Sequence, residues 1–126
     1  MSNEFEILVN SLFKLPRVRY AAVIDSHGEK LHGGMKPGVV SMSSTQTEKK
    51  LEIQSVLILK MAEDFETECG RLFYSSIRWE KLVGLFFLLS QDWALNVTIE
   101  GDMPLSEIFE IEKVVRRWKE KNKLVR

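Results

Sequence analysis

Two hydrophobic periods alternate along this chain, and the switches between them mark out its elements. Phe5, Leu8 and Leu12 recur at the spacing of one helix face, with Ile7 flanking it. Asn3 followed by Glu6 has the pattern of a capping box, so a first helix is expected to start at Asn3. Pro16 ends it near Lys14, because the residue before a proline avoids the helical region. Residues 18–24 are rich in β-formers, and Asp25-Ser26-His27-Gly28 reverses the chain with Asp at the first turn position and Gly at the last. Residues 30–35 return as a second strand. Gly33-Gly34 within it predicts a bulge or a close backbone approach, and Lys36-Pro37-Gly38 breaks it.

The helical period resumes at Thr45-Gln46-Thr47-Glu48, which has the spacing of a second capping box, and carries to about Phe65, with Gly70 closing the segment. Leu51, Ile58, Met61, Ala62 and Phe65 form one stripe expected to cover a sheet. Ile53 and Val56 fall roughly on the opposite side, with Leu57 between the two sets. They form a second patch, to be covered by a second partner or by the protein's own loops. Three strands follow at 72–79, 82–89 and 93–99, with hairpin turns at Glu80-Lys81 and Gln91-Asp92. The middle one is apolar except at Gly84, which predicts cover on both faces. In the last, Trp93, Leu95, Val97 and Ile99 alternate with Ala94, Asn96, Thr98 and Glu100, which predicts one drier face. Asp102 is expected to cap the final helix with Pro104 in its first turn. Leu105, Ile108, Ile111, Val115 and Trp118 supply its buried side. The order α-β-β-α-β-β-β-α, with short turns between consecutive strands, predicts an α+β fold: a five-stranded antiparallel sheet with helices on both faces.

Bulk properties narrow the function classes. A length of 126 residues suits one domain spanning 1–126. The 18 basic and 18 acidic residues cancel, which leaves no overall attraction to nucleic acid or to an anionic membrane. The longest apolar run, 82–89, falls far short of the about 20 residues that span a bilayer. The start, MSNEFEIL, has no basic-then-apolar leader, and the lone Cys69 allows no intramolecular disulfide. These features predict a cytoplasmic protein.

Candidate chemistry is sparse. His27 and His32 are the only histidines, and no pattern of Cys, Asp or Glu ligands completes a metal site around them. They read as a turn residue and a sheet residue. Cys69 follows Glu63, Asp64, Glu66 and Glu68, and neighbouring carboxylates oppose a reactive thiolate. The glycines between 33 and 38 lack the Gly-Lys-Ser/Thr of a phosphate loop. No catalytic residue, metal or cofactor is therefore expected. One charge asymmetry stands out. After residue 112, Lys113, Arg116, Arg117, Lys119, Lys121, Lys123 and Arg126 are opposed by Glu120 and the terminal carboxylate. Cations favour a helix C-terminus, which explains part of it. The basic tail at about 119–126 is either a solvated end or, with Arg116, Arg117, Lys119 and Lys121, a contact for an acidic partner. Trp118 alone interleaves an aromatic ring, so nucleic acid is not the expected partner.

The segment LPRVRYAAVIDSHGEKL, residues 15–31, resembles the opening of the roadblock/dynein-light-chain family, which has a profilin-like fold. In that family a helix ends at a proline and V-x-G-x-x-V-x-D-x-x-G forms the first hairpin; here Tyr20-Ala21 stands where the family usually has glycine. Residues 82–99 are similar to its two closing strands. Ala22-Val23-Ile24-Asp25, Gly28, Gly33-Gly34 and Gly38-Val39 resemble its small archaeal members. The resemblance covers essentially the whole chain. It implies a non-enzymatic homodimer, or a heterodimer with a paralogue, that scaffolds or regulates a small GTPase or another signalling protein. It further implies that second helices pair and that sheets join at the third strand. The dimer surface would then take in Ile53, Val56, Leu57 and Lys60 with Phe73, Tyr74 and Ser76. Profilin-like sheets also resemble sensor domains. That alternative puts a small-ligand pocket between sheet and helix, with Tyr20, Phe73, Phe86, Phe87 and Trp93 as candidate lining.

Overall fold

The computed structural model describes residues 1–102 and 104–124. In chain order the elements are α1 (Ser2–Phe13), β1 (Val18–Asp25), β2 (Lys30–Met35), α2 (Thr45–Glu63), α3 (Glu66–Cys69), β3 (Ser75–Arg78), β4 (Leu82–Leu88), β5 (Trp93–Glu100) and α4 (Leu105–Lys121). The predicted order holds, with the short α3 added after α2. The strands form one five-stranded sheet in the order β2-β1-β5-β4-β3, antiparallel throughout. Pairing of β1 with β5 joins the first hairpin to the later three strands and buries both at the centre.

Side chains alternate across the strands, and each set meets a different layer. Ala21, Val23, Leu85, Phe87, Leu95 and Val97 face α1 and α4, where they pack with Phe5, Leu8, Leu12, Ile111, Val115 and Trp118. The Trp118 indole also donates to the Glu4 carbonyl at 2.8 Å, tying α4 to α1. Ile24, Phe86, Leu88 and Ala94 face the other way and pack with Val56 and Leu59 of α2. The sheet is therefore covered on both faces, as the apolar run in β4 predicts.

Gly33 has φ +99°, and a Cβ there would run into the Ala21 carbonyl oxygen. The register of β2 on β1 also slips between Val23 and Ile24. Of the two features offered for the glycine pair, the close approach is the one found there; the slip lies beside it, between His32 and Lys30.

Several local expectations are corrected. Met1, not Asn3, is the N-cap of α1, and no side chain caps it. The cap of α2 is Ser44, whose hydroxyl accepts from the Thr47 N–H at 3.2 Å, one residue ahead of Thr45. β3 pairs only from Ser75 to Arg78. Asp102 does not cap α4: it accepts from the Arg17 guanidinium at 2.7 Å, and Pro104 takes the cap position. Leu105 is exposed. β5 is buried on both faces, since Ala94 and Asn96 are buried alongside Leu95 and Val97.

The largest correction concerns α2. Its sheet-facing residues are Glu52, Ser55, Val56 and Leu59, with Leu51 and Ile58 packed partly buried beside them. Met61 and Phe65, assigned to the covered stripe, are 68% and 66% exposed. Val56, assigned to the leftover patch, lies in the core. The rotation has a polar cause. The Tyr20 hydroxyl donates to the Glu52 carboxylate at 2.6 Å, and the Ser55 hydroxyl donates to the Glu52 carbonyl at 2.7 Å. Two polar residues thus occupy core positions that an apolar period cannot reveal.

Candidate functional site

With its inner face fixed by those contacts, α2 presents an apolar stripe outward. Ile53 and Leu57 are half exposed, and Met61 and Phe65 more so. A four-residue step rotates by about 40°, so Ile53, Leu57 and Met61 follow one shallow strip along α2, and Phe65 lies just past its end, where α3 begins. The first hairpin leans on the start of that strip. Gly28 has φ +84°, and a Cβ there would lie 2.8 Å from the Ile53 Cα, so the turn can sit this close only with glycine. The Asp25 carboxylate braces the turn by accepting from the backbone N–H groups of His27 at 2.8 Å and Glu29 at 3.0 Å. Those bonds, that from Glu29 above all, hold its carboxyl below the usual carboxylate range.

β3 lies at one end of the sheet, so its outer backbone groups have no neighbouring strand among the described residues. Of the residues expected at a dimer surface, Ile53, Leu57 and Lys60 are exposed on α2, and Ser76 is exposed on β3. Val56 does not join them. Phe73 and Tyr74 sit ahead of β3 and turn toward α4: Tyr74 lies 5.5 Å from Phe87 between ring centroids, and the Arg116 guanidinium lies 4.2 Å over the Phe73 ring. Arg116 also pairs with Glu112 at 3.0 Å, and Lys119 donates to the Leu88 carbonyl at 3.1 Å. Arg117 and Lys121 are exposed; Arg126 is outside the described residues. The basic cluster is thus divided between packing duties and solvent.

A second feature lies inside. A cavity of about 80 Å³ separates the first half of α2 from the sheet, with Tyr20, Glu52 and Asn96 at its inner end and residues 41–43 over it. Asn96 is only 1% exposed, and neither its carboxamide nitrogen nor its oxygen has a hydrogen-bond partner. Leaving such a group unpaired costs about 1–3 kcal/mol. Burial first, and then the bond to Glu52, pushes the Tyr20 phenol well above its ordinary value. Of the aromatic residues proposed to line a pocket, Tyr20 alone lines this one. Phe86 and Phe87 are core residues on opposite faces, and Trp93 packs edge-on against Phe5 at 5.1 Å.

No cluster of three metal-ligating side chains occurs among the described residues. No helix among them is long and apolar enough to cross a membrane.

No protein-family model matches the sequence, and no curated protein matches it. Solved structures do. A Roadblock/LC7 domain from Streptomyces avermitilis superposes with a TM-score of 0.64 at 7% identity, covering 98% of this chain and 94% of that one. The fold is that of the roadblock domain. The gliding protein MglB from Thermus thermophilus is similar at a TM-score of 0.65 and 13% identity, with 95% and 91% covered. An MglB with a tetrameric arrangement reaches 0.68 at 13% identity, with 94% and 91% covered.

Within this roadblock fold, Glu52 and Asn96 are the residues that the sequence did not single out. The available signal was indirect: Asn96 is a carboxamide between strongly apolar neighbours in a central strand, and Glu52 falls where α2 must meet the sheet.

Proposed function

We propose that this chain is one roadblock-like domain, residues 1–126, acting as a non-enzymatic dimeric interaction module in the cytoplasm that scaffolds or regulates a small GTPase or another signalling protein. The observation that carries the reading is the exposed stripe Ile53, Leu57, Met61 and Phe65 on a molecule whose β3 is an open sheet edge. A two-fold axis would set α2 against its copy, with Lys60 at the margin, and β3 with Ser76 against its copy, an isologous contact. Val56 is left out of this interface because it supports the monomer core. Phe73 and Tyr74 would flank the β3 junction, and Arg116, Arg117, Lys119 and Lys121 remain candidates for an acidic partner on α4.

Magnitudes decide how much of this pairing the stripe can supply. Covering four partly exposed apolar side chains on each of two protomers yields on the order of 8 kcal/mol. Association costs about 4–15 kcal/mol. The stripe alone is close to break-even, so the β3 ladder is needed as well. The likeness to an MglB with a tetrameric arrangement fits self-assembly, and likeness to a gliding protein fits a regulatory role.

Light scattering tests it. The wild type should have twice the chain mass at micromolar concentration, and Leu57→Glu should halve that mass with the fold intact. A wild type that is monomeric alone and with a paralogue overturns the reading; a dimer indifferent to Leu57→Glu moves the interface elsewhere. Val56→Glu is the wrong probe, because it would put a carboxylate in the core.

A further inference from the structure

We propose that the cavity between α2 and the sheet is a binding site for a small neutral molecule with a carboxamide head on an apolar ring or chain. The inner end sets the head group. Asn96 offers donors and an acceptor, both unpaired, on a side chain that lines the cavity. A carboxamide presents the complementary acceptor and donor along one edge, so one group satisfies both arms.

The charges nearby exclude the alternatives. The Arg19 guanidinium is committed to Glu100 at 3.2 Å and to the Val40 carbonyl at 2.8 Å. The carboxylates of Glu52 and Glu48 remain, accepting from Tyr20 at 2.6 Å and from Ser41 at 2.9 Å. Among the residues that line the cavity no uncommitted cation offsets those carboxylates for an anionic head, since Lys50 and Lys81 border the outer groove instead. An ammonium head can only donate, which leaves the Asn96 N–H groups unpaired.

The outer end sets the body. Met42, Ser43 and Thr47 at the mouth also border a groove of about 590 Å³ walled by Leu51, Leu82 and Trp79. The cavity of about 80 Å³ has room for a head group of a few atoms, since one water takes about 10–15 Å³ of such space. A ring or short chain then continues along the apolar groove.

Benzamide, benzoate and benzylamine test the proposal on the full chain labelled at its methionine methyls. Met35 and Met42 line the cavity, whereas Met61 is exposed on the outer face of α2. Benzamide should shift the Met35 and Met42 signals saturably and leave Met61 unmoved. The two charged analogues should bind at least about tenfold more weakly, the equivalent of 1.4 kcal/mol. Asn96→Leu should weaken benzamide by about tenfold, as the loss of a hydrogen-bonded pair predicts. If that variant does not fold, the ranking of the three probes on the wild type still decides. Absence of any benzamide shift at Met35 and Met42, which would leave a cavity for water only, overturns the proposal. So does benzoate or benzylamine binding as well as benzamide, or a response confined to Met61.

Discussion

The two faces of the sheet are built by different rules. Toward α1 and α4 the interface is apolar throughout, closed by Leu85, Leu95, Val97 and Ile111 at zero exposure. Toward α2 the apolar cluster is smaller and is continued by a polar seam of Tyr20, Glu52 and Asn96 around a cavity. One face is packed for stability, where missing volume is costly. The other holds a helix by a buried hydrogen bond and leaves that helix apolar on its outside. Buried polar networks of this kind fix one arrangement at a cost in stability. The α2 layer is accordingly expected to be the less stable of the two, and it is the one with apolar surface and space left over.

Four changes break or sharpen that contrast. Leu85→Ala should cost about 3 kcal/mol, the usual cost of an unrelaxed core cavity. Leu59→Ala, equally buried but under α2, should cost nearer about 2 kcal/mol, because one helix can settle into the gap. Urea denaturation reads both, and equal costs would remove the distinction between the faces. Tyr20→Phe should cost about 2 kcal/mol, because Glu52 loses a buried donor. It also has a pH signature. The folded-state phenol is raised, so its contribution is complete below the unfolded value of about 10 and is lost as pH rises beyond it. The wild type should therefore weaken in alkali more steeply than Tyr20→Phe; parallel curves would place the stabilisation of α2 elsewhere. The smallest effect is at the turn that leans on α2. The depressed Asp25 carboxyl contributes above the unfolded value of about 3.9 and loses that contribution as pH falls through its lower folded value. Asp25→Asn should shallow the acid limb of a thermal-melt series; an unchanged limb would show that the turn stands without its carboxylate.

The contrast also marks where the sequence was legible. β2 came out residue for residue, β4 was recognisable as doubly buried from its unbroken apolar run, and Gly33 announced a close approach because no other residue fits there. These are places where one local rule operates alone. The reading failed where tertiary partners overrule a period. The apolar stripe points α2 one way, but Glu52 holds the inner face through a bond to a strand 32 residues away. Asp102 has the chemistry of a helix cap, yet Arg17 claims it from across 85 residues. The outer stripe was half legible: the period points Ile53 outward and leaves Leu57 between the two sets, the resemblance adds Leu57 to the surface, and Met61 and Phe65 count as covered. A pocket between sheet and helix with Tyr20 in its lining was one of the two readings, but Glu52 and Asn96 in that lining were not legible, because they depend on how far a helix stands off a sheet, which residue identity does not encode.

The two rims of the sheet differ in a way that limits how large any assembly can grow. At β3 the backbone is regular and open over four residues, enough to seat one more strand. At β2 the register slip and the positive φ angles of Gly33 and Gly34 spoil the ladder that an incoming strand would need. A sheet with two sound rims can add copies indefinitely and become a fibre. With one rim sound and the other spoiled, a symmetric addition at β3 would use up the growing end, and accretion would stop at a closed unit.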